Sequence, residues 1–150
     1  MASRSPSKFV SGSTYTYAVS LRVRHPSVDP AILTRTLMLE PAHSWKAGDP
    51  RRSQSGEAVS GQYRDSYWSA PLLGQMVGGV SLPLETFIGQ QLLQLGRHRD
   101  FFAGLQGAGG EISLLVEIAS VANAVLTLSS TVARRLADLN IEMEFQFPGD

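Results

Sequence analysis

The sequence predicts an α+β fold in which one mainly antiparallel sheet carries its helices on a single face. Three observations lead there. Apolar and polar residues alternate with a period of two over 15–24, 111–119 and 141–147, the mark of strands with one face buried. Apolar residues recur at i, i+3, i+4 spacing over 83–96, the mark of an amphipathic helix. The order strand, short helix, strand occurs twice, joined by that central helix, which is the pattern of a ferredoxin-like sandwich of two β-α-β units.

Each element follows from local chemistry. In the first strand Tyr15, Tyr17, Val19, Leu21 and Val23 face one way and Arg22 and Arg24 the other. His25-Pro26 ends it, because proline donates nothing to a ladder. Asp29-Pro30 opens a short helix, with aspartate as N-cap, proline at the first turn, and Ile32, Leu33 and Leu37 as its buried stripe. Residues 42–62 form the least regular stretch, a mobile loop with room for a short edge strand. Tyr63 to Ala70 reads as a strand closed by Pro71. Gly74, Gly78 and Gly79 loosen the chain before the helix of 83–96, for which Ser81 is the expected N-cap; Arg97 to Leu105 continues it by a turn or two. Glu111 to Ala119 is a strand with Ile112, Leu114, Val116 and Ile118 inward. Ser129 caps a helix to Leu139, Asn140 ends it in a left-handed conformation, and Ile141 to Phe147 is the final strand. Tyr17, Val19, Leu21, Leu114, Val116, Met143 and Phe145 are expected to share one core.

The composition limits the function. Of 150 residues 43% are apolar, enough for one domain over residues 15–147, with 1–14 read as a disordered tail. Thirteen basic and thirteen acidic side chains leave no net charge, so a dedicated nucleic-acid binder is not expected. The absence of cysteine excludes disulfides, thiolate metal sites and a cysteine nucleophile. The longest apolar candidate, Leu114 to Leu128, is broken by Glu117, Ser120 and Asn123, so neither a membrane span nor a secretory signal is read, and the cytoplasm is the expected compartment.

The order of short motifs is itself informative. Ser20-Leu21-Arg22-Val23, Asp29-Pro30 with Leu33, Leu39-Glu40-Pro41, Ser44 and Gly48-Asp49 are followed by Trp68-Ser69 and a long helix. Leu126-Thr127-Leu128-Ser129 and Leu136-Ala137-Asp138-Leu139 then precede the last strand. This succession resembles domain-of-unknown-function family 4279, found mainly in bacteria, over residues 15–147. The family's last strand usually carries an aspartate and a closing aromatic; Glu142, Glu144 and Phe147 stand in that stretch here. The resemblance implies no activity.

Catalytic and metal chemistry find little support. His25, His43 and His98 lack metal-ligand spacing, and His43 with Glu40 and Asp49 reads as a solvated loop. Gly79-Val80-Ser81-Leu82-Pro83 lacks the second glycine of a nucleophile elbow. Gly107-Ala108-Gly109-Gly110 precedes a strand, whereas a dinucleotide fingerprint follows one. Glu142 and Glu144 share a strand face, but so do Arg22 and Arg24, and with the first and last strands central and adjacent the pairs meet as cross-strand ion pairs. No catalytic residue, cofactor or metal is therefore assigned.

The candidate binding surface is the aromatic and basic group around Trp45, Arg51, Arg52, Tyr63, Arg64, Tyr67 and Trp68, residue types enriched where proteins grip partners. The function expected first is a non-catalytic interaction or regulatory module, self-associating as a homodimer or bound to a protein partner. A small-ligand-binding domain, with its pocket between the 42–62 loop and the central helix, is the alternative. An enzyme using Glu142, Glu144 or His43 comes last.

Overall fold

A computed structural model describes residues 15–77, 80–119 and 125–147. The expected N-terminal tail lies outside these residues. Strand β1 (Thr16–His25) leads through α1 (Pro30–Leu37) to β2 (His43–Trp45). A hairpin of β3 (Pro50–Arg52) and β4 (Ala58–Gln62) precedes β5 (Ser66–Leu72). A small second hairpin, β6 (Met76–Val77) and β7 (Val80–Ser81), leads into α2 (Leu84–Leu95), a 3-10 turn (Gly96–His98) and α3 (Arg99–Gly107). Strand β8 (Glu111–Ala119), α4 (Ser130–Leu139) and β9 (Glu142–Gln146) complete the order.

The main sheet runs β2-β5-β1-β8-β9. Every neighbouring pair is antiparallel except β8 and β9, which are parallel and joined through α4. The mixed α+β class and the mostly antiparallel sheet thus hold. The pairing read for the first strand needs correcting: β1 and β5 are antiparallel neighbours, and β9 lies at the edge instead of beside β1. Its edge position explains a second correction. Phe145 takes the inward register beside Val116 yet remains 46% exposed, because only one neighbour flanks it.

The core lies on one side of this sheet. Val19, Leu21, Val23, Trp68, Ala70, Leu72 and the inward residues of β8 form one cluster with Leu33 and Leu37 of α1, Phe87, Ile88 and Leu92 of α2, Phe102 of α3, and Val132, Leu136 and Leu139 of α4. Tyr17 and Met143 pack against its margin. Ile32 turns out of the expected stripe and is 37% exposed.

The helix ends show why the chain turns where it does. Asp29 accepts from Ala31 N at 3.0 Å, with Pro30 in the first turn. Ser129 Oγ accepts from Val132 N at 3.2 Å, and Asn140 takes φ 53°, closing α4 in the left-handed region. Ser81 is not the N-cap of α2: it belongs to β7, and Pro83 precedes the helix with no side-chain cap. Pro71 does not end β5 either. Ser69 O accepts from Ala42 N on the β2 side, so the two-residue period turns the missing N–H of Pro71 to that side, beyond the pairing with β2. Gly110 is required by close approach, since a Cβ there would meet Leu105 O at 2.7 Å and His25 Cδ2 at 3.0 Å.

Candidate functional site

The face of the sheet turned away from the helices carries the alternate residues of the same strands. Register puts Arg24 opposite Tyr67, Arg22 opposite Ser69, His43 opposite Ser69, and Trp45 opposite Tyr67. These side chains therefore share one face by pairing alone.

Over this face stands an arm made by the β3–β4 hairpin. Its base is pinned by Gly48 N to Tyr63 O at 2.8 Å and Tyr63 N to Asp49 O at 2.9 Å. Asp49 Oδ2 accepts from Lys46 N, and the buried Ser66 Oγ accepts from Ala47 N, both at 3.0 Å. Gly48 makes the turn at φ 91°, a conformation a side chain would strain. Farther out the register of the hairpin shifts between Pro50 and Arg52. The stretch 42–62, expected to be a mobile loop, is thus built of one short edge strand and a hairpin.

An aromatic column ties arm to sheet. Tyr63 stacks on Trp45 with ring centroids 4.2 Å apart, and Trp45 stacks on Tyr67 at 4.7 Å. Arg24 and Arg22 lie over the Tyr67 ring at 5.6 and 5.9 Å. Arg22 also pairs with Glu144, Nη1 to Oε1 3.4 Å, across the intervening β8. The expected Arg–Glu meeting on the polar face is realised here for one pair, but between strands that are not neighbours.

Arm and sheet enclose a cleft of about 1170 Å³. Arg22, Arg24, His43, Trp45 and Tyr67 line it from the sheet, Arg51, Arg52 and Tyr63 from the arm. It opens on the side away from α2, not between the 42–62 stretch and the central helix as expected. Among the described residues, no three His, Cys, Asp or Glu side chains gather closely enough to hold a metal ion. No helix of the described residues is long and apolar enough to cross a membrane.

Residues 13–149 match the family model described as "Domain of unknown function (DUF4279)". The chain belongs to this family. No curated protein and no solved structure matches it.

In this DUF4279 chain, five of the seven residues grouped from the sequence meet in the cleft: Trp45, Arg51, Arg52, Tyr63 and Tyr67. Arg64 is exposed and does not line it. Trp68 is 0% exposed on the opposite side of the sheet, where its Nε1 donates to Thr34 Oγ1 at 3.0 Å. Adjacent residues of a strand point to opposite faces, so Tyr67 and Trp68 cannot both serve one surface. Sequence reasoning left Arg22, Arg24 and His43 out of the group. The period of two had placed both arginines on the polar face; only the β1–β5 and β2–β5 registers bring that face to Trp45 and Tyr67.

Proposed function

We propose that this DUF4279 chain is a non-catalytic binding module whose ligand site is the cleft between the outer sheet face and the arm. The cleft itself carries the reading: it is concave, large enough for a small molecule, and lined by three aromatic rings with convergent polar groups. The chemistry of its lining supports binding over catalysis. Among the described residues, no serine hydroxyl in the cleft bonds to a histidine or carboxylate; Ser53 Oγ meets only Ser55 Oγ and Glu57 N. The scaffold reads as a ferredoxin-like core of β2-β5-β1-β8, crossed by α1 and by α2 with α3, to which α4 and β9 are appended. The directions support this, since β1 and β2 are both antiparallel to β5, and β5 and β8 both antiparallel to β1.

Backbone amide NMR with a chemically varied set of small molecules tests the site. Ligand shifts are expected at Arg24, Trp45, Tyr63 and Tyr67. Shifts confined to the helix side, around Leu33 and Phe87, would overturn the reading.

A second reading, self-association, rests on β9. It is an edge strand, and Phe145 and Phe147 beside it are 46% and 56% exposed. Light scattering on the wild type and on Phe145→Lys tests it: a dimer reduced to monomer supports pairing through β9, and a monomeric wild type excludes it.

A further inference from the structure

We infer that the ligand of the cleft is a compact divalent oxyanion, a phosphate ester or a dicarboxylate, gripped between the arginines of β1 and those of the arm. The inference rests on the cleft being the ligand site. The chain has no net charge, yet four of its arginines line this cleft: Arg22 and Arg24 on the floor, and on the opposing wall Arg51 and Arg52, of which Arg52 also donates to Gly56 O at 3.2 Å. The acidic residue lining the same space is Asp49, and its carboxylate is engaged by the Lys46 amide. Glu111, Glu142 and Glu144 lie in the adjoining groove beside Arg22 and Arg24 and offset part of the floor's charge. The guanidinium groups that line the cleft still repel one another, and an anion placed among them relieves that repulsion.

The arrangement also says what kind of anion. Arg22 and Arg24 stand two residues apart on one strand, on the order of 7 Å along it, and both are steadied against the ring of Tyr67. Stacking holds the guanidinium plane and leaves its N–H edge for an oxygen pair, the geometry in which arginine binds carboxylate and phosphate bidentately. A single carboxylate satisfies one such fork. Two facing walls of arginine suit a ligand with two negative charges. The rings offer no slot for a flat base or cofactor, because Tyr63 and Tyr67 already cover the two faces of Trp45. Charge, not intercalation, is therefore the recognition principle.

Arg22 shows how the floor of the site is held within the chain. Its Nε is buried and has no acceptor among the described residues, and its Nη1 is held by Glu144, a carboxylate half exposed to water. Glu144 reaches Arg22 from the adjoining groove and not from the cleft, and its exposure makes it easily displaced. Ligand and Glu144 compete for the same guanidinium.

Calorimetric titration of the full chain at low salt, with glycerol 3-phosphate, succinate, acetate and glucose as probes, tests this. Glycerol 3-phosphate or succinate is expected to bind one to one and acetate more weakly, with Kd rising with salt; which of the two divalent probes binds tells phosphate from dicarboxylate. Arg24→Gln and Arg51→Gln are each expected to weaken binding about tenfold or more, the loss of a charge-assisted hydrogen bond. Glu144→Gln is expected to tighten it. Unchanged denaturation midpoints show the variants folded, and Arg51→Gln, on the exposed arm, keeps the test independent of the Tyr67 stack. Binding of the divalent probes that ignores both arginine variants overturns the inference, as does a Glu144→Gln variant that binds more weakly. If only glucose binds and shifts the cleft amides, the cleft remains the site and its anionic ligand is wrong. If none of the four probes binds, the anion inference is overturned, while amide shifts at the cleft with other small molecules still decide the cleft reading.

Discussion

The two faces of the central sheet are made from alternate residues of the same strands, and they answer to different physics. On the helix side Val19, Leu21, Val23, Trp68, Leu114 and Val116 are at most 1% exposed and hold one another by close packing. On the other side Arg22, Arg24, Trp45 and Tyr67 meet through ring stacking, cation–π contact and one ion pair, and stay in part exposed to water. Moving one residue along a strand therefore exchanges a position worth several kcal/mol of stability for one that contributes little to folding and is free to bind. Trp68 and Tyr67 are the sharpest instance.

Substitutions can break or sharpen that contrast. The largest effect belongs to the helix side: Leu21→Ala or Leu114→Ala is expected to cost about 2–5 kcal/mol by denaturant titration, from lost transfer energy and the cavity left behind. Gly110→Ala should follow, at about 1–3 kcal/mol, because its Cβ is driven into the Leu105 carbonyl and the His25 ring. Trp45→Ala on the open face is expected to cost less than Leu21→Ala, about 1–3 kcal/mol for the two stacked pairs removed. Its sharper consequence is local, a faster tryptic cut at Arg51 and Arg52 as the arm loosens. A Trp45→Ala loss as large as that of Leu21→Ala would erase the distinction between the faces.

The smallest effects concern charge. A double-mutant cycle on Arg22 and Glu144 is expected to give about 0–1 kcal/mol, the usual value for an exposed pair, falling further in salt. Tyr17, at the margin of the core, has its phenol pKa raised, chiefly by burial, with a hydrogen bond to Ser81 working against it and Tyr15 adding to it. A folded pKa above the unfolded one means that this contribution is complete below pH 10 and is lost as pH rises through the folded value. Stability should therefore fall above pH 10, and less so in Tyr17→Phe.

How much of this was legible depended on whether burial leaves a pattern. The alternation of Val19, Leu21 and Val23, and of Ile112 to Ile118, located β1 and β8 because each is flanked on both sides and covered by helices. Asp29, Ser129 and Asn140 marked helix ends through backbone bonds that only those residue types supply so readily. The arm left no such trace: β3 and β4 are exposed throughout, so no face repeats. Phe145 misled because alternation reports which way a side chain points, not whether anything covers it. The cleft was half legible. Trp45, Arg51 and Arg52 lie near one another in sequence, but Arg22 and Arg24 join them only through strand pairing, which is long-range information.

The central place of β1 also has a consequence in time. Its residues are made early, yet Leu21 waits for Leu114, the partner on its β8 side, until most of the chain has been synthesised. With chain growth at about 5–20 residues per second, the stretch from the end of β5 at Leu72 to Leu114 takes about 2–8 s, during which a β1–β5 pair formed on the growing chain presents a bare strand edge. Unpaired edges recruit other chains, and charged side chains along them discourage it. Arg22 and Arg24 stand on that waiting edge, so residues that line the cleft in the folded protein are also of the charged type that discourages edge pairing before β8 is made.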